Sequence, residues 1–296
     1  MPLRLTDAEL PALFKVADSA SLNGQQLYIR ATKTRLILAI LAAALAAVTL
    51  KIGGTWDLPA LTVTGAFIVT LITEIWLLSR KPERDWYDGR ALAESVKTLC
   101  WRYSVAAAPF PAHVPDPEAE LHFVAEVEKL IHESPSDLVV IATPVSVTDR
   151  MREIRNSNLS ERRSIYLEGR IKNQLNWYSG KATFNSARAR RWRFFLIVIE
   201  GAGIVAAMLK AGSVIDFDLP GIVAALLGAG SAWFAVRQYE SLGRAYTFAA
   251  NDLSMVHARL QRITEQSDWE REVADAEEAI SREHTMWRAS RGAVGA

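Results

Sequence analysis

Two carboxylates stand where carboxylates are expensive. Glu74 is the only charged residue between Leu58 and Ser79, and Glu200 is the only one between Phe194 and Leu209. Ionisable side chains inside an apolar span usually face a bundle interior or water, and they mark ion or proton paths. Glu74 lies six residues before Arg80, and Glu200 lies seven after Arg193. At 1.5 Å per residue each sits about 9–10 Å inside the edge of its run. Two readings of this chemistry stay open. The carboxylates line a cation-attracting pore in an oligomer, as charged rings do in cation channels. Alternatively, each sits near the interface, protonated or hydrogen-bonded to a neighbouring helix.

A second set of residues is aromatic and basic. Trp177, Tyr178 and Lys181 precede Arg188, Arg190, Arg191 and Arg193. Such a run contacts anionic lipid headgroups at a membrane interface or holds a phosphate-bearing ligand. The remaining candidates carry little chemistry. His113, His122, His132, His257 and His284 have no metal-ligand spacing, and there is no HExxH. No serine sits in GxSxG and no Walker glycine loop appears. Cys100 falls on the apolar face of a helical pattern and reads as core. No enzyme activity, cofactor or metal is expected.

Composition points to no particular chemistry. The chain has 296 residues, formal net charge +1, 50% hydrophobic residues and 23% charged ones. The near-neutral balance argues against a nucleic-acid binder. A single cysteine excludes an intramolecular disulfide and any zinc site needing two thiolates. High apolar content beside ordinary charge content predicts segregation into oily and polar stretches.

Four apolar stretches appear: Leu36 to Leu50, Leu58 to Ser79, Phe194 to Leu209 and Leu219 to Val236. A spanning helix needs about 17–25 residues; the second and fourth qualify outright, and the first and third are short. The outer flanks of the two pairs hold 14 basic residues, against only Lys51 and Lys210 in the short connections. Basic flanks stay cytoplasmic. Both pairs therefore read as hairpins with their tips outside, and both chain termini face the cytoplasm. The first run begins after a long mixed-charge segment, unlike a secretory signal peptide.

The pairs echo each other. Trp56-Asp57-Leu58-Pro59-Ala60 matches Phe217-Asp218-Leu219-Pro220-Gly221, each with an aromatic, a capping Asp and a Pro in the first helical turn. Gly89-Arg90-Ala91 matches Gly243-Arg244-Ala245. Both copies share one orientation, so the repeat is parallel. The polar regions read as helical: Trp86 to Tyr103, a helix starting at Asp116-Pro117, and one running from a Ser160 N-cap without proline into the third apolar stretch, roughly 75 Å long. The fourth stretch runs on toward Arg259. Ser267-Asp268-Trp269-Glu270 reads as a capping box opening a last helix to about Trp287. Leu138 to Val147 is a short strand or a packed loop.

The run Thr148-Asp149-Arg150-Met151-Arg152-Glu153-Ile154-Arg155, then Ser160-Glu161-Arg162-Arg163 and Tyr166-Leu167-Glu168-Gly169-Arg170-Ile171, leads into Gln174, Trp177-Tyr178 and Lys181-Ala182. This resembles the SLATT family, the SMODS- and SLOG-associating two-transmembrane effector domains of prokaryotes. Trp86-Tyr87-Asp88-Gly89-Arg90-Ala91-Leu92-Ala93-Glu94-Ser95, continuing to Trp101-Arg102-Tyr103 and Pro109-Phe110, resembles a second subtype. The resemblance implies an effector of conflict or antiphage systems, in which a partner senses a nucleotide-derived signal and oligomers permeabilise the membrane. It transfers no functional residue.

The expected fold is an all-α membrane protein with two parallel-duplicated transmembrane hairpins and long cytoplasmic helical extensions. Its expected parts are a cytoplasmic segment 1–35, a first hairpin module 36–110, a connector 111–159 and a second hairpin module with its stalk, 160–296. The expected function is an oligomeric pore-forming effector of the inner membrane, gated through its cytoplasmic helices. Its expected partners are lipid, further copies of itself and a nucleotide-signal sensor protein. The alternative is a non-conducting scaffold that recruits a cytoplasmic partner.

Overall fold

The computed structural model describes residues 5–52, 56–134 and 145–292, with side chains through residue 281. Among the described residues the fold is all-α apart from one small hairpin. After a 3-10 turn (Asp7–Glu9) come α1 (Ala12–Ala46), β1 (Lys51–Ile52), β2 (Trp56–Asp57), α2 (Leu58–Arg80), α3 (Pro82–Ser104) and α4 (Asp116–Glu133). Then follow α5 (Asp149–Arg155), α6 (Leu159–Tyr166), a π-helical turn (Leu167–Ile171), α7 (Lys172–Ala211), α8 (Leu219–Arg237), α9 (Tyr239–Leu260) and α10 (Gln266–Gly292). The chain forms two compact units: Met1–Gln25 with Glu83–Gly180 and Tyr246–Ala296, and Gln26–Pro82 with Lys181–Ala245.

The first is a helical unit with an ordinary buried core. Leu13 and Phe14 of α1, Val96, Trp101 and Tyr103 of α3, Phe123 and Val127 of α4, Met151 and Ile154 of α5, Leu260 of α9 and Trp269 of α10 are all buried in one cluster. Aromatic rings meet edge-on through it: Tyr103 on Phe110 and Phe123, and Tyr166 on both Trp101 and Trp269. Edge-to-face pairs add to burial because ring edges are positive and faces negative. Arg155 closes the loop after α3. Its guanidinium donates to the carbonyls of Phe110, Pro111 and Val114 at 2.8, 2.9 and 3.1 Å and to Asp116 Oδ1 at 3.1 Å. Cys100 is wholly buried, and burial pushes its thiol well above the ordinary range, so it is core as its position in the sequence suggests. Gly89 lets α3 cross α1 closely: a Cβ there would stand 2.9 Å from the Ala17 carbonyl oxygen and the Ser21 amide nitrogen.

The second unit turns its apolar side chains outward. Phe67, Leu71 and Ile72 of α2, and Phe194, Ile197, Val198 and Ile204 of α7, are exposed. Large apolar surface on this scale is the mark of a lipid-facing or partner-facing body. Among the described residues, three helical stretches are long and apolar enough to cross a membrane: Leu58–Ser104, Leu159–Ala211 and Leu219–Leu260. The stretch from Leu36 to Leu50 is not among them. Helix α1 ends at Ala46, so only 36–46 of that run are helical, and the turn before them carries Arg30, Lys33 and Arg35. The chain instead enters a two-stranded antiparallel pairing, Lys51 opposite Asp57 and Ile52 opposite Trp56, which the all-α reading did not contain.

The outgoing helices start as the tip motifs predict, with one difference. Asp57 accepts from the Ala60 amide at 3.5 Å, with Pro59 in the first turn. Asp218 makes no such cap and takes Lys210 Nζ at 2.5 Å instead. Each outgoing helix ends in a left-handed residue, Lys81 (φ 47°) or Gln238 (φ 49°), whose amide returns to the carbonyl four residues back. Gly243 parallels Gly89: a Cβ there would stand 2.9 Å from Ser186 Oγ of α7.

Some expected helix signals move. The cap at the start of α6 is Asn158, accepting from the Glu161 amide at 2.9 Å, rather than Ser160. Helix α10 begins at Gln266, so Ser267 lies inside it. Glu270 does not complete a capping box; it accepts from Ala112 N at 3.0 Å and Gln266 Nε2 at 2.7 Å. Most of Leu138 to Val147 lies outside the described residues.

Candidate functional site

The two carboxylates of the apolar stretches have different surroundings. Glu74, on α2, is partly exposed and ion-paired with Arg35 of α1. Its charge is compensated within its own unit. Glu200, on α7, is exposed among Ile197, Val198 and Ile204 and forms no ion pair or side-chain hydrogen bond among the described residues. The neighbouring Gly201 has nothing within 4 Å of a notional Cβ, so that helix face is open. A charge left on an apolar face needs water, a proton or another chain against it. Glu200 can therefore attract a cation or meet a second subunit, whereas Glu74 already has its counter-ion.

The aromatic–basic run divides into a buried and an exposed part. Tyr178 is buried, tilted against Tyr246 of α9, and Trp177 meets both rings edge-on. Tyr178 thus packs helix against helix and does not reach lipid from within the chain. Lys181, Arg188, Arg190, Arg191 and Arg193 are exposed. Arg188 stacks 5.3 Å over the Phe184 ring, and Arg193 is ion-paired with Glu240. The exposed cations of the run form a basic collar just before the apolar part of α7, a pattern suited to anionic headgroups.

The most elaborate polar cluster is one that sequence spacing does not reveal. Glu277 of α10 is 0% exposed and Arg170, in the π turn, 1%. Arg170 donates to Glu277 twice, Nε to Oε1 at 2.9 Å and Nη2 to Oε2 at 2.8 Å. Tyr166 Oη donates to Oε1 at 2.9 Å, and Thr98 Oγ1 of α3 donates to Oε2 at 3.0 Å. Burial pushes the Tyr166 phenol well above its usual range, and the Glu277 charge adds to that shift. The partners lie 107 and 179 residues apart in sequence, so no local motif points to them. A buried, bidentate ion pair whose carboxylate accepts four hydrogen bonds binds elements together specifically.

Residues 11–163 match the family model for SMODS and SLOG-associating 2TM effector domain 3, and residues 166–287 match that for SMODS and SLOG-associating 2TM effector domain 1. No curated protein and no solved structure matches the chain. The first helical unit draws on both matched segments, since Thr98 of one and Arg170 and Glu277 of the other share a single carboxylate. The protein is a tandem SLATT protein, a membrane effector-domain chain with two members of that family in series.

Proposed function

We propose that the chain is an oligomeric, ion-conducting effector of the prokaryotic inner membrane, set by its helical unit. The observation that carries this reading is Glu200: an exposed, unpaired carboxylate within an apolar helix long enough to cross a membrane. A ring of copies gives that carboxylate a water-filled lumen to face and gives cations a reason to enter. Glu74, neutralised by Arg35, holds its hairpin together and takes no part in conduction.

Two 2TM domains imply four crossings. Three helices meet the length and apolarity for this, and the apolar end of α1 with the β1–β2 tip supplies a short fourth. The matched placement of Gly89 and Gly243, and of Lys81 and Gln238, supports a parallel duplication of the hairpin. Basic flanks favour cytoplasmic termini and a cytoplasmic helical unit. In this reading a sensor protein bearing a nucleotide-derived signal acts on that unit, in the setting of conflict or antiphage systems.

One feature favours the scaffold alternative. Helix α9 leaves Phe248 and Met255, one heptad apart, exposed on the helical unit, where a partner can dock. Potassium flux through proteoliposomes, with and without nucleotide-rich cell extract, separates the two. Flux supports the effector; correctly inserted protein that stays silent in both conditions supports the scaffold.

A further inference from the structure

The turn between α6 and α7 is π-helical. The Lys172 amide donates to the Leu167 carbonyl, five residues back rather than four. Such turns are rare, are equivalent to one extra residue in an α-helix, and persist where tertiary contacts hold them. Here the contacts are specific. Gly169 faces Trp101, whose ring edge would stand 3.1 Å from a Cβ. Arg170 and Tyr166 both grip the Glu277 carboxylate. That carboxylate arrives on α10, which docks through the buried Trp269, Val273 and Ile280 and through polar contacts. Trp269 Nε1 donates to the Val105 carbonyl at 2.9 Å, and Arg102 Nη2 donates to the Ala274 carbonyl at 2.6 Å.

We propose that α10 is a clamp on the register of α7. With Glu277 seated, the extra residue at 167–171 stays looped into the π turn. When α10 lifts away, the turn relaxes to α-helix and α7 rotates about its axis relative to α6 by one residue, about 100°. Without Glu277, Arg170 loses the carboxylate that does most to offset its burial, and the turn loses the contact that orients it.

Helix α7 carries a second stripe suited to this rotation. Its buried stripe runs through Tyr178, Ala182, Asn185 and Ala189. The polar Asn185 is only 6% exposed while the adjacent Phe184 is 48% exposed. A one-residue turn exchanges them, bringing Phe184 inward, with Trp177 taking the place of Tyr178. Lys181 and Arg188 move with them and keep their charged ends in water on long stems. The same rotation re-aims Glu200 further along α7, which is how the clamp would gate conduction; that last step rests on the conducting reading above.

The test uses the full-length chain in lipid nanodiscs and maleimide labelling. Cys100 is buried and stays in place. Phe184→Cys and Asn185→Cys are each labelled alone and with Glu277→Gln. With Glu277 present, Phe184→Cys reacts at least tenfold faster than Asn185→Cys. With Glu277→Gln the order reverses. Deleting Glu168, an exposed residue of the turn, removes the extra residue while keeping both flanks in phase, so the original order returns even with Glu277→Gln. Tyr166→Phe, which removes one donor and leaves the ion pair, shifts the ratio in the same direction by less. An unchanged order with Glu277→Gln, or a reversed order that survives the deletion, overturns the clamp. Flux in proteoliposomes is read in parallel. A reversed labelling order without added flux upholds the clamp and overturns conduction; added flux without reversal overturns the clamp and upholds conduction.

Discussion

Arg35 of α1 and Glu74 of α2 form an ion pair within the apolar unit, joining the two helices of the first hairpin across its connection. Removing one partner leaves the other as a lone charge beside apolar surface, whereas removing both does not. Arg35→Ala and Glu74→Ala are therefore each expected to lower the thermal midpoint in detergent more than half as much as the double variant does. A double-mutant cycle should give a coupling of roughly 0.5–3 kcal/mol. Strictly additive single effects would contradict the pairing.

Gly89 makes a sharper prediction, because two effects of opposite sign compete. Alanine in a helix interior is favoured over glycine by about 1 kcal/mol. At Gly89 a Cβ would meet backbone atoms of Ala17 and Ser21 at 2.9 Å, and neither can move alone. Overpacking of that kind costs about 1–3 kcal/mol. Gly89→Ala should destabilise the helical unit on balance. Gly180→Ala, with nothing within 4 Å, should stabilise it. Thermal unfolding followed by circular dichroism decides, and equal gains for both variants would refute the close crossing.

Two carboxylates predict acid behaviour. The hydrogen bond from Arg152 holds Glu120 below its usual range, against the pull of burial. Burial pushes Glu9 up, but hydrogen bonds from Thr6 and Arg150 outweigh it, so its carboxyl also lies low. A folded-state value below the unfolded one, near 4.3 for Glu, stabilises the fold above that pH. The contribution disappears as pH falls through the folded value. The thermal midpoint of the wild type should therefore fall below about pH 4.5, and that of Glu120→Gln should fall less steeply. Identical pH profiles would remove Glu120–Arg152 from the acid response.

Much of this fold is legible in the sequence because helices announce themselves locally. The apolar runs at Leu58 and Leu219 start at Asp-Leu-Pro, and α4 starts at Asp116-Pro117. The first apolar run misleads because hydropathy continues past Ala46, where the helix stops. The carboxylate of Glu270 looks local but is claimed by the Ala112 amide, 158 residues away. Glu74 and Glu200 look alike in their runs. What separates them is Arg35, which belongs to a different helix and reaches only one of them. The Arg170–Glu277 clasp and its π turn leave no periodic trace, since their partners meet only in three dimensions.

The most direct measurement is the reversal potential of proteoliposome currents under a potassium chloride gradient, wild type against Glu200→Gln, with Glu74→Gln beside them. Cation selectivity that weakens with Glu200→Gln and persists with Glu74→Gln is the predicted result, because the proposed pore takes its charge from Glu200 while Glu74 already has Arg35 as counter-ion. Selectivity unchanged by Glu200→Gln would contradict the proposal that this carboxylate lines a pore.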